Sequence, residues 1–230
     1  MCCKERNDVE DLPGILAAVA RSLFSSRLLN KLIRPDFAIF RVADVGEDIL
    51  HREISVAFFN GYGTELNMFR PGGRGEGYLA DLEYLAATTY ILRRNSDAFL
   101  DIGWTPLIRS EADRVYVNRW NAGAKTICTV LNMDHRGYSG PLFSAGDSEG
   151  RHLVSLWRHE EIEPTLINGE LMASVQIPGW SQSDNGTRRE SSIDCIALLP
   201  SLIRAEMRGD RLHLESLNDG TLLISRGQPG

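Results

Sequence analysis

The chain has 230 residues, 43% of them apolar, and a formal net charge of -6. That apolar share is enough for a buried core and excludes a disordered chain. The acidic balance excludes the basic stripe that nucleic-acid backbones require, and no apolar run reaches the roughly 18 residues of a membrane-spanning helix.

In chain order, residues 9–33 read as helix. Leu12, Ile15, Leu16, Val19, Leu23, Leu28, Leu29 and Leu32 recur at spacings of three and four. Arg34-Pro35-Asp36 ends this segment. Phe37–Val42 is a short strand or an ordered loop, and Val45–Arg52 has the composition of a helical turn. Ile54–Phe59 is an uncharged apolar run, the pattern of a strand buried on both faces. It stops at the polar loop Asn60-Gly61-Tyr62-Gly63-Thr64-Glu65, and a second loop runs from Arg70 to Gly77. Residues 78–94 form a helix on an apolar stripe of Leu79, Leu82, Leu85, Ala86, Tyr90 and Ile91, stopped by Asn95-Ser96-Asp97. The order strand, polar loop, helix is one β/α unit.

After Trp104-Thr105-Pro106-Leu107 the apolar period shortens to two. Val115–Trp120 and Lys125–Asn132 make a hairpin, and His152–Trp157 is a further strand. Asn168-Gly169 is a strong hairpin turn, because both residues accept positive φ, and it leads into Glu170–Ile177. A polar loop fills 181–190, and strands follow at 192–199, 202–208, 211–216 and 221–226. This density of short strands predicts an antiparallel sandwich. The expected fold class is α+β: a helix-rich partial β/α segment over residues 1–105, with one or two buried strands, then an antiparallel β-sandwich over 106–230.

Of the four cysteines, Cys2 and Cys3 are adjacent at the start, while Cys128 and Cys195 sit in apolar strands. The latter two are either buried free thiols or a bridge between neighbouring strands. His135, His152, His159 and His213 share no ligand spacing, and the glycine runs miss the dinucleotide fingerprint, so no metal or cofactor is expected. Met1 is followed by polar residues with no apolar signal region, which makes the cytoplasm the default location.

Val56–Gly63, the segment Tyr90–Phe99, Trp104–Leu107, the strand pair 115–120 and 125–132, then His152–Trp157 and Asn168–Leu171 together resemble one arrangement. It is that of large glycoside-hydrolase-like proteins, where the last β/α units of a (β/α)₈ barrel run into a C-terminal β-sandwich. The resemblance covers most of residues 50–200. It implies a carbohydrate partner and O-glycosyl hydrolysis as the chemistry of the whole protein. A complete barrel takes about 250 residues, whereas only about 100 precede the sandwich here. The resemblance therefore implies a fragment, inactive or incomplete alone, or a chain whose open barrel face is covered by self-association or by a partner chain. A non-catalytic sandwich module that binds carbohydrate or protein is the alternative.

Glycoside hydrolysis uses two carboxyl groups, and barrels place them at the C-terminal ends of strands. Glu65 is the candidate carboxylate, better suited to bind or orient substrate than to act as the acid, since no second carboxyl shares its wall. Asn60 and Tyr62 would bond or stack a sugar, and Arg70 would hold a carboxylate or hydroxyl. The same letters also spell an ordinary strand-ending turn with a solvated glutamate. Trp104, Trp120, Trp157 and Trp180 either form a sugar-stacking platform or fill a core, Trp180 being the one expected at the surface.

Overall fold

The computed structural model describes residues 40–44, 50–67, 78–146, 150–179, 181–182, 188–189 and 192–217. The helix expected over 9–33 and the strand expected over 221–226 lie outside them.

The chain opens with β1 (Phe40–Asp44), α1 (Leu50–Phe59), β2 (Gly63–Asn67) and α2 (Tyr78–Arg94). β1 and β2 are parallel, with Phe40 opposite Gly63 and Asp44 opposite Asn67, so α1 is the crossover of a β-α-β unit. A β/α segment is present, but the placement of its strand has to be corrected. Residues 54–59 are helix, and Gly63-Thr64-Glu65, read as the end of a polar loop, open the strand β2. The apolar run misled because all of Ile54–Phe59 is buried. A helix enclosed on every side carries no amphipathic period, and a short apolar run cannot be assigned from periodicity alone.

What ends α1 is chemically clear. The Tyr62 amide donates to the Ala57 carbonyl at 2.8 Å and the Gly61 amide to the Phe58 carbonyl at 2.9 Å. With Gly61 at φ +68°, this is a Schellman ending, which satisfies two of the carbonyls that a helix C-terminus leaves without partners.

α2 is followed by the short α3 (Ser96–Phe99) and then by β3 (Trp104–Ile108), β4 (Val115–Ala122), β5 (Lys125–Asn132), β6 (Tyr138–Ser144), β7 (Arg151–Ser155), β8 (Glu160–Ile162), β9 (Thr165–Ile167) and β10 (Glu170–Ile177). The pairs β11 (Ser181–Gln182) with β12 (Arg188–Arg189), and β14 (Ile203–Arg208) with β15 (Arg211–Ser216), flank β13 (Ser192–Pro200). A six-stranded sheet runs β3-β4-β5-β13-β7-β8, and a three-stranded sheet runs β6-β10-β9. The expected α+β class, β/α segment followed by antiparallel sandwich, is the fold found.

The six-stranded sheet is the middle layer. Val117, Cys128, Val130, Leu153, Ile196 and Leu198 on one face pack against Leu142, Phe143, Ala173, Val175 and Ile177 of the smaller sheet. Trp120, Ile127, Leu131, Ile193, Cys195 and Ala197 on the other face pack against Val56, Phe58, Phe59, Ile91 and Phe99 of the helices. Burying each such large side chain stabilises by about 1.5–3 kcal/mol before entropy is counted. Double-sided cover explains why β13 reads Ile-Asp-Cys-Ile-Ala-Leu without alternation.

The thiol question is settled by register. Cys128 pairs with Ile196 and Cys195 with Thr129, which sends the two sulfurs to opposite faces of the sheet. Both are free and buried. Trp104 and Trp120 fill the core between helices and sheet, with Trp157 packed at its margin; for these three the core reading holds over the platform. Trp180 is outside the described residues.

Candidate functional site

Three of the five residues singled out from the sequence are described, and they do not share a surface. Asn60 is buried and caps α1, its side-chain amide donating to the Val56 carbonyl at 2.8 Å. Tyr62 is buried in the core beside Phe99 and Trp120. Glu65 lies inside β2 rather than in a loop. It sits opposite Val42 in the parallel register, is exposed, and faces away from the side on which Leu66 packs against Ala43, Leu50 and Ile54. Arg70, like Trp180, falls outside the described residues. Among those residues no three His, Cys, Asp or Glu side chains gather as a metal site.

A polar joint locks α1 to α2. The His51 ring stacks on Tyr84 at 3.8 Å. Ser55 and Tyr84 share a hydroxyl–hydroxyl hydrogen bond of 2.8 Å, and Asp81 stands 3.7 Å from the His51 ring nitrogen. Burial raises the Tyr84 phenol far above its ordinary value, so it stays a neutral donor. Trp157 meets the Tyr84 ring edge-on at 5.2 Å.

Open space lies instead in the sandwich. The larger cleft, about 580 Å³, runs between the β3–β4 end of the six-stranded sheet and the small sheet. Ile108, Pro141, Ile167 and Met172 give it apolar walls, and Arg109, Glu111, Arg119, Asn168 and Glu170 its polar groups. One wall is set by a bulge. β3 slips register between Thr105 and Ile108, and Leu107 takes φ +51°. The opposite rim is the β9–β10 turn, where Asn168 and Gly169 adopt φ +51° and +82°, as the sequence predicts for a tight hairpin.

Asn118 couples this cleft to the helices. Its side-chain amide donates to the Phe59 carbonyl at 3.0 Å, and its oxygen accepts from the Leu107 amide at 2.9 Å. The same carbonyl accepts from the Thr129 hydroxyl at 2.7 Å. One side chain therefore binds the end of α1 and the β3 bulge at once. Asn118→Ala leaves the Leu107 amide without its acceptor and is expected to cost about 2–4 kcal/mol. Urea denaturation measures the loss, and faster hydrogen exchange at Leu107 locates it.

A second cleft, about 490 Å³, is lined by Arg136, Tyr138, Arg158, Glu160 and Gln176 among others. Its arginines already have anionic partners. Arg136 lies 3.4 Å from Asp134, and Arg158 lies 3.1 Å from Glu160 and 3.3 Å from Asp194. The Arg136 amide and side chain hold the Asp134 carboxyl below its ordinary range, so that pair is already compensated.

No protein-family model matches the sequence, and no curated protein matches it. Solved structures do. A cyclomaltodextrin glucanotransferase, CldA, aligns with 78% of this chain at 12% identity and a TM-score of 0.48. An Anoxybacillus α-amylase aligns with 83% at 9% identity and 0.47. A maltogenic α-amylase, AmyB, from Thermotoga neapolitana aligns with 78% at 14% identity and 0.44. The chain spans 42%, 46% and 48% of their respective lengths.

Proposed function

We propose that this chain is part of a carbohydrate-active, glycoside-hydrolase-like protein and does not hydrolyse glycosides by itself. The observation that carries this reading is the β1-α1-β2 unit. Parallel strands are ordinarily covered on both faces, yet among the described residues only two are paired in parallel, and Phe40 and Val42 point outward at 58% and 46% exposure. Such a pair is what further β/α units, a second copy or a partner chain would cover. Glu65 shares that outer face, so any carboxyl that works with it would come from the covering element.

The test is reducing-sugar release from a panel of α- and β-linked glucans and galactosides. The purified chain is expected to release none above buffer. Turnover that Glu65→Gln abolishes would overturn the proposal. The alternative, a non-catalytic binding module, is favoured by the sandwich cleft, which is built without any contribution from β1 or β2.

A further inference from the structure

Arg119 is differently placed from the other arginines that line the clefts. It lies on β4 in alternation with Val115 and Val117, so its stem enters the space between the two sheets. One guanidinium nitrogen, Nη2, donates to the Ser144 carbonyl at 2.6 Å. Its Nε is buried with no acceptor among the described residues, and none of the ion pairs there includes it. By contrast Arg109 stands 3.1 Å from Glu111, and Arg136 and Arg158 are paired as above. The thiol opposite Arg119 in register, Cys128, meets the guanidinium as a weak neutral acceptor and does not supply the missing charge. Burial pushes it up to about 11, so it is neutral near pH 7. Glu111 and Glu170 line the same cleft, yet among the described residues no carboxylate forms an ion pair with this guanidinium, and a buried N–H without an acceptor is costly. Arg119 lies where the 580 Å³ cleft opens.

We propose that this cleft binds a carboxylate-bearing ligand, the carboxylate lying against the Arg119 guanidinium. Taken with the carbohydrate reading above, on which the sugar part of the assignment rests, the ligand class is an acidic sugar of the uronate type. The rest of the cleft fits that class. Ile108, Pro141 and Met172 offer apolar surface to ring C–H groups. The Asn168 side chain and the Arg109–Glu111 pair supply donors and acceptors for hydroxyls. Glu170 on the rim adds negative charge, which disfavours a ligand carrying two. The cleft therefore selects one carboxylate over none and over two.

The experiment is calorimetric or chemical-shift titration of the full chain with glucuronate, glucose, cyclohexanecarboxylate and succinate. Glucuronate is expected to bind, and glucose and succinate to bind at least about tenfold more weakly. Arg119→Gln should weaken glucuronate by about tenfold or more. Because Arg119 also ties the two sheets through Ser144, that variant is checked for folding and accompanied by Glu170→Lys. Glu170 is exposed, and its reversal of charge should tighten glucuronate several-fold. Glucuronate binding that neither variant changes, or no glucuronate binding at millimolar concentration, overturns the proposal. Cyclohexanecarboxylate binding as tightly as glucuronate, with both variants acting as stated, keeps the carboxylate site and overturns the acidic-sugar assignment.

Discussion

Gly61→Ala is expected to lower the unfolding free energy by about 2–5 kcal/mol, read as a fall in urea midpoint at unchanged slope. Two independent penalties combine. Gly61 holds φ +68° at the end of α1, and a non-glycine residue there costs about 1–2 kcal/mol. The added methyl would also lie 3.1 Å from a Phe99 ring carbon and 3.3 Å from a Trp120 ring carbon. Both rings are buried in the core that joins helices to sheet, so neither can turn aside into solvent, and overpacking there costs about 1–3 kcal/mol more. Gly123 separates the two terms. It has φ +58° in the β4–β5 turn, but nothing lies within 4 Å of its added carbon. Gly123→Ala should therefore show the backbone cost of about 1–2 kcal/mol alone. Equal losses at the two sites would mean that the contacts of Gly61 with Phe99 and Trp120 contribute nothing.

That same glycine shows how far the fold was legible. β5 and β10 were read with the bounds they have, Lys125–Asn132 and Glu170–Ile177, and α2 likewise over 78–94. Each is declared by chemistry local to it: an amphipathic stripe, or turn residues such as Asn168-Gly169. α1 was misread because its meaning depends on what surrounds it. Ile54–Phe59 could be a strand between two layers or a helix among three neighbours, and only Asn60-Gly61 directly after it, a helix-ending pair, pointed to the second. β6 passed unnoticed for a related reason. Gly140-Pro141 interrupts its apolar pattern, and the irregularity shows in its pairing with β10, which slips register at Ala173–Ser174.

The site was less legible than the fold. Asn60 and Tyr62 drew notice as polar groups after an apolar run, yet they end a helix and fill the core. Arg119 had no distinguishing neighbour in sequence. Its character comes from Ser144 on β6, from the β9–β10 hairpin, and from having no ion-pair partner among the described residues. Those are non-local facts that periodicity does not encode. A distant pattern did leave one trace: Asn118 and Arg119 are polar between Val117 and Trp120, which fill the core, and a polar residue that must be buried is where a partner should be sought.

Asp194→Ala is the second substitution with a large expected effect, about 3–5 kcal/mol of stability. Asp194 is 1% exposed on the central strand β13. One carboxylate oxygen accepts from the Ser155 hydroxyl and from the Cys195 amide, both at 2.7 Å. The other lies 3.3 Å from Arg158, whose guanidinium also donates to the Gln176 carbonyl on β10 at 2.9 Å. Truncation leaves the Ser155 hydroxyl and the buried Cys195 amide without their acceptor and removes one of the two carboxylates that Arg158 pairs with. Arg158 keeps its Glu160 partner at 3.1 Å, so adding Arg158→Met should recover only a small part of the loss.

The pH dependence of the same pair has a definite sign. Burial raises the Asp194 carboxyl above its ordinary value, against the opposing pull of Ser155 and Arg158. A carboxyl raised in the folded state binds its proton more tightly there than in the unfolded chain. Its contribution to stability is full below the unfolded value and is lost as pH rises through the folded one. Asp194→Ala lacks that slope. The stability gap between the two proteins, from urea unfolding at a series of pH values, should therefore narrow as pH rises across this window. A gap that widens instead would mean that the Arg158 pairing outweighs the burial of Asp194, and that the ion pair stabilises the sheet in its charged form.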